Sequence, residues 1–396
     1  MLEVIRMHVG RFILLFVLGM SSEGWSQGLA LSEKNDRKIP FTTRREVALI
    51  YTLTDTTISI EVVNDYPGII VQSKLDKDFS RNLRKYRNMI RQAETGDFTG
   101  SGNYLYQILI KPVSVYLKDV SRLVIYPDSV LSDLPFETLV SGLNFLPGCV
   151  RPRPRFLVED YEIVYRLIDW LPFQAGNPAM IRDQLPGQIH LIGLAPALEP
   201  SHPDYLPYVE QELDSLRTLF HAKGLTYRFL NIRQELLEDE VRRPGIGTIL
   251  HFAGHYHPGC FPDSNAGFLQ CITDPIDRRK HESGQYYSVK EISSLRFRAD
   301  LIVLNGCRSG YLRMESGSLR NQTPPILIGS GASNIISTLW SVADHLALRF
   351  MVAFYRNLLS GTSYATALRD TKLRMLSSRE TSLPHVWAPY VLTTGP

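Results

Sequence analysis

From residue 189 onward the chain alternates short, wholly apolar runs with stretches of helical period, and this alternation restricts its architecture more than any other feature. IHLIGL (Ile189 to Leu194) is a continuous run, apolar but for His190, as expected of a strand covered on both faces. Val209, Leu213, Leu216 and Phe220 then mark one helix face, and Leu225 to Ile232 reads as the next strand. A helix over Gln234 to Arg242 stops at Pro244-Gly245. Strands are predicted at Thr248 to Phe252, Phe268 to Thr273, Leu301 to Leu304 and Asn334 to Leu339, with a helix at Tyr287 to Leu295. Two amphipathic helices, Asp344 to Leu359 and Tyr364 to Leu376, close the chain. Such alternation predicts an α/β fold, a mostly parallel sheet flanked by helices.

The first half is less regular. EVALIYTLTDTTISIEVV (Glu46 to Val63) is two β-branched runs broken by Thr-Asp-Thr, a hairpin pattern. A helix follows around Leu75 to Gln92, with Phe79, Leu83, Tyr86 and Ile90 on one face and the basic run Arg81 to Arg91 on a solvated one. Tyr104 to Leu117 is a second helix interrupted by Pro112, and RLVIY (Arg122 to Tyr126) is a buried strand. Residues 142–187 hold six prolines and read as a long irregular connection, so the boundary is set there: an N-terminal half at 46–185 and a C-terminal half at 186–396.

The formal charge of +3 over 396 residues excludes an extended nucleic-acid or acidic-lipid surface. Cys149, Cys260, Cys271 and Cys307 form no C-x-x-C pair and no disulfide framework, which leaves a lone thiol open as a nucleophile. At the N-terminus a small basic excess, the apolar run Phe12 to Met20 and then SSEGWSQ give the layout of a signal peptide over residues 1–26, followed by a polar linker at 27–45. The expectation is export, to a periplasmic or extracellular compartment; the alternative is a cytoplasmic protein with a buried N-terminal segment. Membrane contact is expected only through that segment left uncleaved, since the run is short for a permanent span.

In open α/β sheets, ligands bind beyond the carboxyl ends of the strands. After TILHF comes Ala253-Gly254-His255-Tyr256-His257, and after LIVL comes Asn305-Gly306-Cys307-Arg308-Ser309-Gly310. If the two strands are parallel neighbours, a histidine and a cysteine face each other across one cleft. The thiolate is the reactive form of cysteine, and an adjacent imidazole can take its proton and later hand it to a leaving group. Gly306 permits a sharp turn and close approach of a substrate backbone. The amides of Tyr256 and Cys307 are candidate oxyanion donors. Arg308 and Ser309 are candidate substrate contacts.

ILHFAGH, LIVLNGCRSG, GSGASNIISTLWSV and the closing HVWAPYVL (His385 to Leu392) resemble, as a set, the CHAT family of caspase-like and separase-like cysteine peptidases. LVIYPDSVLSDLPFETL resembles that family's N-terminal half, which has the same shape without a dyad. The resemblance implies a caspase-like fold in two halves, with a pseudo-protease half and a catalytic half. It implies His255 and Cys307 as the dyad, Gly254 and the GCRSG loop shaping the site, and Trp340 and Asp344 bracing a strand–helix corner. It implies no cofactor, a protein or peptide substrate and, because family members often follow TPR arrays, a separate TPR-type sensor chain. An acidic pocket would select Lys or Arg in the substrate, with Asp263, Asp274 and Glu315 as its candidates.

Two departures bear on activity. Tyr256 stands where the family usually has Gly, and YLRMESGSLRNQTPP lacks the family's Gly-Glu-Gly run. The alternative they raise is an inactive caspase-like binding or scaffold module. A further alternative is a zinc hydrolase using His251, His255, His257 and Cys260, since zinc takes N and S ligands. A serine hydrolase is disfavoured because no G-x-S-x-G elbow is present at Gly306-Cys307-Arg308.

Overall fold

The computed structural model describes residues 46–64, 68–92, 98–144, 152–167, 189–195, 200–201, 205–231, 247–254, 268–269, 287–288, 299–306, 309–310 and 323–395. The chain opens with β1 (Glu46–Leu53) and β2 (Thr57–Val63), the predicted hairpin, and adds β3 (Ile69–Lys74) antiparallel to β2. Helix α1 (Phe79–Gln92) buries Phe79, Leu83, Tyr86, Met89 and Ile90. Its basic face is not wholly solvated: Arg87 and Arg91 both pair with Asp133, and Arg87 also donates to the Val130 carbonyl. Helix α2 (Phe98–Leu109) gives way to a 3-10 turn at Lys111–Tyr116, where Pro112 cannot donate to a continuing helix. Then come β4 (Arg122–Tyr126) and the small antiparallel pair β5 (Val140–Asn144) and β6 (Arg153–Phe156).

The proline-rich stretch read as an irregular connection holds a strand of the main sheet. After a helical turn at Leu157–Asp160, β7 (Glu162–Tyr165) pairs in parallel with β4. Four residues carry too little periodic signal to separate a strand from a loop, and flanking prolines obscured it.

The second half runs β8 (Ile189–Ala195), α3 (Pro207–Ala222), β9 (Thr226–Asn231) and β10 (Gly247–Ala253). The short strands β11 (Phe268–Leu269) and β12 (Tyr287–Ser288) pair antiparallel, so the helix predicted from Tyr287 does not begin there. Then follow β13 (Leu301–Asn305), α4 (Thr323–Gly329), β14 (Asn334–Thr338), α5 (Asp344–Leu358), α6 (Tyr364–Leu376), a helical turn at Pro384–Trp387 and β15 (Tyr390–Thr394). The helix predicted at Gln234 to Arg242 lies outside the described residues.

Among the described residues one sheet has the order β3-β2-β1-β4-β7-β15-β14-β13-β10-β8-β9. Strands β14, β13, β10, β8 and β9 are mutually parallel, as are β1, β4, β7 and β15. The two blocks meet where β15 runs antiparallel to β14, so their carboxyl ends lie on opposite edges of the sheet. The last strand thus lies where the two parallel blocks meet, pairing with β14 on one side and β7 on the other.

Strand residues of the second block alternate between two cores. Leu191, Ile249, Val303 and Ile336 join the core that holds Phe220, Phe350 and Tyr355 from α3 and α5. Ile192, Leu250, Phe252, Ile302, Leu304 and Ile335 pack with Leu327 and Ile328 of α4 on the other face. Burial on both faces explains why these strands read as unbroken apolar runs. No helix among the described residues is long and apolar enough to cross a membrane. Residues 1–45, where the signal peptide and linker are expected, lie outside them.

Candidate active site

Strands β10 and β13 are parallel neighbours, with Ala253 opposite Asn305. Gly254 and Gly306, the next residue of each strand, therefore leave the sheet side by side at one carboxyl edge. The Gly254 amide donates to the Asn305 carbonyl at 3.2 Å, which extends the pairing one step beyond the strands. Gly254 has φ 150°, a conformation that residues with a Cβ rarely adopt, so the residue that directs the chain into position 255 needs to be glycine. His255, Tyr256, His257, Cys260, Asp263, Asp274, Cys307, Arg308 and Glu315 lie outside the described residues.

Gly306, Ser309 and Gly310, the described residues on either side of position 307, are fastened to β14. The Thr338 hydroxyl donates to the Gly306 carbonyl at 2.5 Å, the Thr338 amide donates to Ser309 Oγ at 3.0 Å, and the Gly310 amide donates to the Thr338 carbonyl at 2.9 Å. Ser309 Oγ in turn donates to the Leu304 carbonyl at 2.9 Å, and the residue is only 1% exposed. Ser309, a candidate substrate contact on sequence, is instead a buried clamp: its hydroxyl faces the strand behind it. Gly310 lies so close to β14 that a Cβ there would fall 2.3 Å from Ser337 Oγ.

Beyond these strand ends lies a cleft of about 140 Å3, walled among the described residues by Leu206, Val209, Gly254, Asn305, Gly306, Thr338, Val342, Asp344, Ala347 and Tyr390. The bases of both loops form its floor. Leu206 and Val209 bring the start of α3 into one wall, and Asp344 and Ala347 bring the start of α5. Asp344 Oδ2 accepts the Tyr208 amide at 3.1 Å, so one carboxylate ties the first turn of α3 to that of α5 and also lines the cleft. Trp340 donates its indole N–H to the His385 carbonyl at 3.0 Å, joining the end of β14 to the turn before β15.

Under the floor lies a buried polar network. Asn305 Nδ2 donates to both oxygens of Glu212 of α3, at 2.9 and 2.8 Å; the carboxylate is 1% exposed, and its Oε1 also lies 2.7 Å from His251 Nε2. His251 Nδ1 lies 3.0 Å from the Tyr355 hydroxyl, and Tyr390 donates to Asn305 Oδ1 at 3.3 Å. Burial, then the Glu212 charge, pushes the Tyr355 hydroxyl well above its usual range, so it stays protonated and donates to His251 Nδ1. His251 then donates through Nε2 to Glu212, an assignment that the network sets. Both ring nitrogens are thereby occupied in a fully buried side chain. The zinc reading loses His251 for this reason: on a strand, residues four apart need not reach one ligand, and this ring points into the α3–α5 core. Among the described residues no three His, Cys, Asp or Glu side chains gather as a metal site.

Sequence reasoning assigned no role to Glu212, Asn305 or Thr338. A signal existed for Glu212, which falls three residues after Val209 on the apolar stripe of its helix, where a lone carboxylate requires buried donors. Asn305 and Thr338 are short polar residues at strand ends, and such residues are common in solvated loops.

The chain matches the CHAT domain over residues 99–394. No curated protein sequence matches it. Among solved structures it is similar to separase in the Saccharomyces cerevisiae separase–securin complex, with a TM-score of 0.53 and 11% identity over 89% of this chain. It spans only 30% of the separase chain. It is also similar to the Arg-specific cysteine proteinase gingipain R, with a TM-score of 0.42 and 8% identity over 81% of this chain and 75% of that one. The complex of the pro- and mature domains of Porphyromonas gingivalis RgpB gives a TM-score of 0.41 and 11% identity over 81% of this chain and 77% of that one. The separase likeness shows a shared fold: a large, mostly parallel sheet flanked by helices, of the caspase-like type.

Proposed function

The chain belongs to the CHAT domain family, and from that premise we propose that it is a cysteine endopeptidase acting through His255 and Cys307. The observation that carries this reading is the parallel pairing of β10 with β13, with the Gly254 amide on the Asn305 carbonyl, because it starts both loops from adjacent points of one cleft floor. His255 takes the Cys307 proton, and the thiolate attacks the carbonyl carbon of the scissile peptide bond. The amides of Tyr256 and Cys307 hold the resulting oxyanion. As the C–N bond breaks, His255 gives its proton to the leaving amine, and the acyl group remains on Cys307 as a thioester. Water, deprotonated by His255, attacks the thioester, releasing a carboxylic acid and restoring the thiol. No cofactor takes part.

The substrate is a protein or peptide. The Asp344 carboxylate in the cleft wall supports a cationic side chain next to the scissile bond, a role separate from the bracing function assigned to it on sequence. A separate TPR-type chain is the proposed sensor partner.

The test is intact mass after a low dose of an iodoacetamide probe on the purified protein, run beside His255→Ala and Cys307→Ala. An activated thiol gives fast single labelling, lost in Cys307→Ala and slowed in His255→Ala. Slow labelling that ignores His255 would overturn the peptidase reading and favour the scaffold module that Tyr256 suggests.

A further inference from the structure

A single carboxylate holds side chains from both of the strands that lead into the proposed dyad. Asn305, the residue before Gly306, donates from Nδ2 to both oxygens of Glu212, and His251, three residues before Gly254, donates to one of them. Asn305 reaches further: its carbonyl accepts the Gly254 amide and its Oδ1 accepts the Tyr390 hydroxyl in the cleft wall. One side chain of α3 therefore fixes the ends of two strands, and through Asn305 it touches the backbone bond that joins their loops.

Burying a carboxylate is unfavourable unless donors replace the water it loses. Among the described residues no Lys or Arg pairs with Glu212, and the groups that meet its carboxylate are the Asn305 amide and the His251 ring. The same helix supplies Leu206 and Val209 to the cleft, so the carboxylate also ties one wall to the floor. An apolar side chain would fill this space at less electrostatic cost but would leave Asn305 and His251 unsatisfied.

We propose that Glu212 is a positioning residue for the site, holding Asn305 and His251 so that the chain enters residues 255 and 307 at the spacing the thiol and imidazole need. As a statement about the dyad, this rests on the peptidase reading above. Glu212 touches neither substrate nor reacting atoms.

The test compares the unmodified full chain with Glu212→Gln, which keeps the volume but turns one acceptor into a donor facing Asn305 or His251. Two readouts are taken. Hydrogen–deuterium exchange by mass spectrometry follows peptides across β10–Gly254 and β13–Gly306, with β4 and β7 as internal reference. The rate of Cys307 alkylation is followed against pH. The expected result is faster exchange at the β10 and β13 ends alone, alkylation slowed about tenfold or more at pH 7, and a pH midpoint moved towards that of a free thiol. The pair Glu212→Gln with Asn305→Asp restores donor to acceptor and is expected to recover both readouts. If folded Glu212→Gln shows unchanged exchange at both strand ends, the proposal is overturned. If exchange rises while Cys307 is already slow and indifferent to His255→Ala in the unmodified chain, positioning of the loop bases stands and the dyad reading falls. Should Glu212→Gln not fold, Asn305→Ser removes the same bonds from the other side and is read by the same two measurements, with the same outcomes deciding.

Discussion

The Gly254 amide and the Asn305 carbonyl, 3.2 Å apart, make the hydrogen bond that lies between the last paired residues of β10 and β13 and the loops that follow. Directly after that bond Gly254 takes φ 150°, a conformation that only glycine holds without strain and that sets the course of the chain leaving the strand. Replacing Gly254 by Ala should cost about 1–3 kcal/mol. It should also redirect the chain at residue 255, so thiol alkylation at Cys307 is expected to slow. Urea unfolding together with the alkylation rate checks both; an Ala variant as stable and as reactive as the parent would mean that the glycine at 254 neither relieves strain nor directs the chain that follows.

Lys372 Nζ lies 2.6 Å from Glu137 Oε1 with both side chains buried, and Glu137 Oε2 also accepts the Tyr165 hydroxyl at 2.5 Å. The pair joins α6 to the segment between β4 and β5, which are far apart in sequence. Burial pushes the lysine pKa down, and Glu137 opposes that shift. Lys372→Met should destabilise the fold by about 3–5 kcal/mol, because it leaves a buried carboxylate without its cation. The double variant Lys372→Met with Glu137→Gln should recover part of that loss. Chemical denaturation of the three variants and the parent tests this; equal losses in the single and double variants would mean that the charge of Glu137 does not matter.

His385 supplies the carbonyl that receives the Trp340 indole, while its own Nδ1 is buried with no hydrogen-bond partner among the described residues. Burial lowers its pKa below the usual 6.5. The unfolded chain then binds the proton more readily than the folded one. Stability from this residue is therefore full above pH 6.5 and declines as the pH falls from there to the folded value, below which it is constant. Thermal melting of the parent and of His385→Asn between pH 7.5 and 5 should show a smaller decline in the variant, and parallel curves would contradict the assignment.

Much of the second half was legible in the sequence because burial on both sheet faces writes a strand as a mostly apolar run without alternation. IHLIGL, TILHF and LIVL all lie in parallel strands, and the helices of Val209 to Phe220 and of Asp344 onward lie where their apolar period places them. The first half was harder. β7 is four residues long, between prolines, and only its pairing with β4 and β15 makes it a strand. The Tyr287 stretch reads as helical by apolar spacing, yet its first residues pair with β11, since a long-range partner outweighs a weak local preference.

For the site, the sequence by itself determined the chemistry available: a histidine and a cysteine, each one residue past a glycine that ends a buried strand. Residue order along a chain carries that information directly. Which strands are neighbours is a different matter, because pairing depends on contacts between residues more than fifty positions apart. Only the tertiary structure placed β10 against β13, turned Ser309 inward to Thr338, drew His251 into the core, and brought Glu212 from a helix to the point where both strands end. A carboxylate on an apolar helix stripe is an anomaly in sequence, and it becomes intelligible once its donors are found, because a buried charge is tolerated only where the fold supplies them.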